Sequence, residues 1–246
     1  MRRRGCWGMT TPPPPEASPL DGNGTAHYIP GVMESAAPVP APELAPEAAA
    51  APRGRPRGFC PDAALAAALG VFWTRGYEGA SMADLTAAMG ITKPSLYAAF
   101  GNKEQLFHKA LDLYETEKLA YIREALEQPT ARAVAEHLLR GAVAAQTSAD
   151  DPRGCLGVIG AAACSNAADS IRTHVLARRE SSHAALVERF RRAQRDGDLP
   201  DHADPLALAQ FLYTVLQGMA VQAGAGTSRA DLDKVVDTSL MLWPGR

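Results

Sequence analysis

SMADLTAAMGITKPSLYAAFGNK, residues 81–103, is the stretch whose reading decides the fold of this chain. Ser81 stands three residues before Asp84, the spacing at which a helix N-cap and the third helical residue satisfy each other's free backbone donors. Met82, Leu85 and Met89 then recur on one face, and Gly90 supplies the left-handed residue that ends the helix. Thr92 is a second cap. It opens a helix in which Ile91, Leu96 and Phe100 pack inward while Lys93, Ser95 and Tyr97 stay free. Two short helices joined by a glycine turn predict a helix-turn-helix, and the free side chains of the second are what a DNA reader needs.

The flanks extend the helical pattern in both directions. A preceding helix is expected over 61–75, because Pro61 suits a first turn and Leu65, Leu69, Phe72 and Trp73 share one face before Gly76 stops it. Asn102 caps a long following helix with Gln105 as its partner. Its apolar stripe through Leu106, Leu111, Leu113 and Tyr114 is predicted to continue toward Leu126. Beyond Pro129 the periodicity predicts helices over 130–148, 155–167, 169–196, 204–224 and 228–243. The 204–224 segment is apolar on more than one face and so must bury surface on both sides. Neither strand-like alternation nor an internal repeat is present, and the predicted class is all-α.

The run ITKPSLYAAFGNKEQLF (91–107), preceded by FWTRGYEGASMADLTAAMG (72–90), resembles the amino-terminal DNA-binding domain of the TetR/AcrR transcriptional regulators. The resemblance covers about 53–107. It rests on the Gly76-Tyr77 pair, the small-residue turn, Leu96-Tyr97, Phe100 and Lys103 in the family's order and spacing. It implies an all-helical homodimer with an amino-terminal helix-turn-helix domain over 53–107 and a ligand-binding and dimerisation domain over 108–246. Against that background the 204–224 helix and the last helix form the dimer interface, with an ordinary central core helix as the other reading. Ala98 and Ala99 depart from the pattern, since relatives often carry His or another polar residue there; fewer groups remain for base-edge hydrogen bonds.

The 246 residues are 46% hydrophobic with a formal charge of −2, enough to bury one or two cores. Between Arg53 and Lys103 six cations face three carboxylates, so the charge excess of the DNA-reading segment is positive and the rest of the chain is acidic. Residues 1–52, rich in Pro and Ala with Pro12 to Pro15 consecutive, lack apolar periodicity and are expected to be a disordered tail. Met33 is an alternative start. No apolar run reaches the ~18 residues needed to span a bilayer, and Arg2-Arg3-Arg4 is followed by prolines, so no membrane partner and a cytoplasmic location are expected. Cys6, Cys60, Cys155 and Cys164 have no CxxC spacing, and reduced thiols are the default.

In a helix-turn-helix the amino-terminal residues of the second helix lie nearest the base edges, here Thr92, Lys93, Pro94 and Ser95. Lys93 is the best donor to base or phosphate, and the Pro94 ring suits a thymine methyl. Tyr97 and Lys103 are assigned to phosphate; the other reading of Tyr97 is a partly buried core tyrosine. The helix amino termini at Ser81 and Thr92 add backbone donors. The arm bearing Arg53, Arg55 and Arg57 is suited to a minor groove, or serves only as a solvated basic leader. A twofold dimer sets its reading helices about 34–36 Å apart, which calls for an inverted-repeat operator.

For the sensing half, a small organic effector that releases DNA is the family's implication. Cys155, Cys164, Phe190 and Phe211 are the candidate effector contacts, with Tyr213 and Trp243 nearby in character; packing of the core is the competing role of the aromatics, and small-residue packing that of the cysteines. A metal or thiol sensor of the same fold is the alternative. The two cysteines, nine positions apart, cannot chelate one metal from a single rigid helix, so a third ligand such as His137, His174 or His183 is required. No metal site or cofactor is predicted. A cysteine-dependent enzyme is the remote alternative, and no enzyme is expected: neither a phosphate-binding glycine loop, nor HExxH, nor GxSxG occurs.

Overall fold

The computed structural model describes residues 58–162 and 168–244, so the 1–52 tail lies outside the described residues. Among the described residues the chain forms α1 (Pro61–Gly79), α2 (Met82–Met89), α3 (Lys93–Phe100), α4 (Lys103–Lys118) and α5 (Ala120–Leu126). These are followed by α6 (Ala131–Gln146), α7 (Leu156–Ala162), α8 (Asp169–Arg195), α9 (Pro205–Gly224) and α10 (Arg229–Met241). No strand occurs among them.

Local capping builds α2, α3 and α4 as their residues dictate. Ser81 and Asp84 exchange bonds, the Ser81 amide donating to the Asp84 carboxylate and the Asp84 amide to Ser81 Oγ, both at 3.1 Å. Gly90 closes α2 at φ 64°, Thr92 accepts from the Ser95 amide, and Asn102 with Gln105 forms a second reciprocal cap. Gly76 departs from helical geometry at φ 71°, ψ 174°, and a single further turn follows to Gly79. That turn sets Tyr77 against the rings of Phe72 and Phe107, 6.3 and 5.3 Å between centroids.

The helix expected to run from Asn102 toward Leu126 is instead two helices. Leu119, at φ −110° and ψ 15°, separates α4 from α5, although neither Gly nor Pro marks the break. Its cause is tertiary. On the new axis Tyr121 and Ile122 pack against the carboxy-terminal core, and α5 lies so near α6 that a Cβ on Gly141 would fall 2.7 Å from the Tyr121 ring. Buried Arg189 secures the end of α5 by donating to the carbonyls of Leu126 (3.1 Å) and Gln128 (2.7 Å).

Two apolar clusters result. One joins Leu69, Phe72, Trp73, Leu85, Leu96 and Phe107 to Leu156, Ile171 and Val175, so α7 and the start of α8 share the core of the helix-turn-helix. The other gathers Leu139 and Val143 of α6, Phe190 of α8, Leu212 and Met219 of α9, and Val236 of α10. Each fully buried large side chain contributes about 1.5–3 kcal/mol.

By length and hydropathy α9 is the one described helix that matches a membrane span. Its Ala209, Leu212, Met219, Ala220 and Ala223 lie in the core, as in the central helix of a folded domain. Its other face is uncovered. Of the eight large hydrophobic residues left exposed among the described residues, Leu206, Phe211, Val221, Val235, Met241 and Leu242 all belong to α9, α10 or the cap of α10. An apolar surface concentrated on two adjacent helices is the property of an interface.

Candidate nucleic-acid interface and cavity

The turn at Gly90 and the Thr92 cap present the amino terminus of α3 to solvent. Thr92, Lys93 and Pro94 are exposed and Ser95 is half-buried. The Thr92 and Ser95 hydroxyls share a hydrogen bond of 2.9 Å. Tyr97 is 46% exposed, which removes the reading of it as a core tyrosine, and Lys93 Nζ stands 5.9 Å from its ring centroid. Leu96 and Phe100, on the opposite side, are buried.

Other predicted contacts carry structural work as well. The Ser81 hydroxyl donates to Asp84 Oδ2 at 2.6 Å, and Arg75 pairs with the same carboxylate at 2.6 Å. The Ser81 hydroxyl, then the Ser81 amide, hold the Asp84 carboxyl below its ordinary range, with Arg75 adding to them. Lys103 Nζ sits 4.5 Å from the Tyr77 ring centroid, an intramolecular cation–π contact between two of the motif's own residues. Burial lowers the Lys103 pKa against the opposing charge of Glu78. Arg53, Arg55 and Arg57 lie outside the described residues. The point of attachment of their arm is described: Gly58 and Phe59 line a groove of about 420 Å³ with Thr92, Ser95 and Ala98.

A second cavity, of about 390 Å³, opens between α4, α5, α6, α7, α8 and α9. Leu111, Leu119, Ile122, Val158, Val175 and Leu216 supply its apolar wall. The polar wall includes three tyrosines, and the Tyr114 hydroxyl donates to Cys155 Sγ at 3.3 Å. Burial raises the pKa values of all three, with Cys155 reinforcing the effect at Tyr114 and Tyr121. Tyr213 is pushed up to about 12, so these hydroxyls are neutral donors at physiological pH. Gln146, also on the wall, donates to the Leu216 carbonyl at 3.3 Å, while its buried Oε1 has no partner among the described residues.

Arg178 ties the cavity to α4. Its Nη1 donates to Glu115 at 2.6 Å, its Nη2 to Asp112, and its Nε to His174 Nε2 at 2.8 Å. Burial lowers the Arg178 pKa, and the bonds to Asp112 and Glu115 outweigh it and raise the value overall. His174 therefore accepts as a neutral ring. Burial first, then the neighbouring His108 ring 4.1 Å away and Arg178, keep its pKa below the usual histidine value.

Of the four predicted effector contacts, Cys155 lines this cavity. Phe190 does not: it is fully buried in the carboxy-terminal core, its ring 5.3 Å from Trp243. Phe211 also lies elsewhere, on the outer face of α9, because its position in that helix is on the side away from Leu212 and the core. Cys164 lies outside the described residues. His137 contacts Glu124 and His183 packs on Tyr213, and no set of three metal-binding side chains occurs among the described residues. Sequence reasoning missed Tyr114, Tyr121, Gln146, Arg178 and Arg179 of the wall. They are dispersed over four helices and form no motif.

Comparison with known proteins agrees with this arrangement. The family model described as bacterial regulatory proteins, tetR family, matches residues 64–110, and that of the tetracyclin repressor-like C-terminal domain matches residues 135–238. The HTH-type transcriptional repressor ComR of Escherichia coli (strain K12) is 37% identical over 191 residues, covering 76% of this chain and 90% of ComR. Among solved structures, a cysteine-substituted form of the TetR family transcriptional regulator CifR, complexed with a 26-base-pair double-strand operator DNA, is 46% identical. It superposes with a TM-score of 0.74 over 77% of this chain and 100% of CifR. A TetR regulator from Rhodococcus sp. RHA1 is 38% identical, with a TM-score of 0.54 over 74% of this chain and 98% of its own.

Proposed function

Because the chain belongs to the TetR family of bacterial regulators, we propose that it is a homodimeric transcriptional repressor that binds operator DNA through α3 and leaves it when a small molecule fills the cavity. The observation that carries the DNA reading is the exposed Thr92–Lys93–Pro94 terminus with Tyr97 beside it, in a helix-turn-helix whose relative CifR was solved on operator DNA. Thr92, Pro94 and Ser95 face the base edges in this reading, and Lys93 at the same terminus donates to a phosphate. Tyr97, Lys103 and the helix terminus at Ser81 hold the phosphates, and Arg53, Arg55 and Arg57 reach the adjacent minor groove. The uncovered face of α9 and α10 joins the two protomers, so the operator is an inverted repeat and the complex sits on DNA in the cytoplasm. No catalytic step is assigned to the chain.

A ligand shifts such a protein only by binding its two states unequally. The cavity is suited to that, since Arg178 on its wall grips Asp112 and Glu115 of α4, the helix that begins with Lys103. A ligand that moves Arg178 moves α4, and with α4 the separation of the two reading helices. A second reading of the effector, a thiol-directed one, is favoured by the position of Cys155 in the cavity with the Tyr114 hydroxyl on its sulfur.

Fluorescence anisotropy on DNA flanking the protein's own gene, titrated with salt beside an unrelated duplex, tests the reader. Tight binding confined to the flanking DNA and lost steeply with salt is expected. Absence of binding to any duplex would refute the assignment.

A further inference from the structure

The cavity carries information about what it holds, and this inference rests on the effector-binding reading above. Arg178 and Arg179 are adjacent on its wall and differ in one respect. Arg178 is engaged on both arms by Asp112 and Glu115. Arg179 is half-buried, and no carboxylate pairs with it among the described residues. A guanidinium withdrawn from water beside an apolar wall is unfavourable unless an anion compensates it. Tyr213, which feels the Arg179 charge, and Tyr121 beyond it keep protonated hydroxyls on the same cavity. The Tyr121 hydroxyl has no acceptor among the described residues. Tyr213 already shares a hydrogen bond with Ser182, so Arg179 and Tyr121 are the donors left for a ligand.

An independent observation on the α6 side points to a ligand. Gln146 is 5% exposed, and its Oε1 has no hydrogen-bond partner among the described residues. Native structures leave few such atoms unsatisfied, and one on a cavity wall calls for a donor from whatever fills it. At about 390 Å³ the space lies at the small end of ligand sites.

We propose that the effector is a small amphipathic organic anion, a carboxylate with a short apolar body and one further hydrogen-bond donor, whose charged end docks at Arg179 and whose donor reaches Gln146. The anion then lies beside Arg178 and competes with Asp112 and Glu115 for it, which loosens α8 from α4.

The test uses the full-length protein and a series of straight-chain carboxylates from butanoate to octanoate, each with its matched primary alcohol and amide. Binding is read by thermal shift and calorimetry, and operator release separately by anisotropy. Carboxylates are expected to bind about tenfold or more tighter than their neutral partners, as a charge-assisted bond implies. Arg179→Gln should erase that preference and Arg179→Lys keep it, with unchanged far-UV circular dichroism certifying the fold of both. Equal affinity for acids and alcohols, no binding of any acid, or a preference that survives Arg179→Gln would overturn the inference. Binding of the acids without operator release would leave this inference standing and refute the effector-response reading instead.

Discussion

Replacing Lys93 with Gln isolates the electrostatic part of DNA recognition. Lys93 is exposed at the first position of α3, pairs with no carboxylate among the described residues, and has its Nζ 5.9 Å from the Tyr97 ring centroid, so the folded state loses little. The expected stability change is within about 0.5 kcal/mol. Each phosphate contact contributes about −0.9 to the slope of log K against log salt on duplex DNA, and a twofold dimer carries two copies of the residue. The variant's slope should therefore be shallower by about 1.8. Between about 50 and 200 mM salt, a fourfold range, wild-type affinity should fall by about tenfold more than that of the variant. The assay is operator anisotropy at several salt concentrations, with Arg75→Gln as the control, since that guanidinium is already held by Asp84. An unchanged slope would refute phosphate contact by Lys93. Unchanged slope with lost operator preference would move Lys93 to a base edge, where about 1–3 kcal/mol of discrimination is at stake.

Three further outcomes are expected. Gly141→Ala places a Cβ 2.7 Å from the Tyr121 ring, so chemical denaturation should report a loss of about 1–3 kcal/mol from overpacking. Val221→Glu puts a charge on the uncovered face of α9, where Val221 is 59% exposed. Size-exclusion chromatography with light scattering should find monomers and anisotropy should find at least about a hundredfold weaker operator binding, while a persistent dimer would place the interface elsewhere. For His174 the folded pKa lies below the reference 6.5, so the folded state binds fewer protons than the unfolded one. Its contribution is complete above about pH 6.5 and is lost as pH falls through that value toward the lower folded pKa. His174→Gln should flatten the decline of the denaturation midpoint in that window, and a variant whose midpoint falls as steeply as that of wild type would refute the linkage.

The legible and illegible parts of this molecule differ in the range of the forces that made them. Ser81 with Asp84, Thr92 with Ser95, Asn102 with Gln105 and the left-handed Gly90 act over three or four residues, and their side chains close the caps without help from the rest of the chain. The break at Leu119 has no such marker. Both α4 and α5 are good helical sequence, and the interruption repays itself only where Tyr121 meets the space that Gly141 leaves open. Lys103 and Tyr77 were visible as motif residues, whereas their contact with each other was not.

By itself the sequence determined the helical class, the turn that presents α3, and the double-sided character of α9, because periodicity and capping are local and survive any arrangement of the remainder. Only the tertiary structure decided the cavity. It separated Cys155 from Phe190 and Phe211, and it brought Tyr114, Tyr121, Gln146, Arg178 and Tyr213 to one wall from helices up to a hundred residues apart. It also decided which arginine spends its charge on α4 and which keeps it. The physical reason is that a binding wall is assembled from the faces left over after each helix has buried its stripe, and those faces are fixed by packing angles that no single segment encodes.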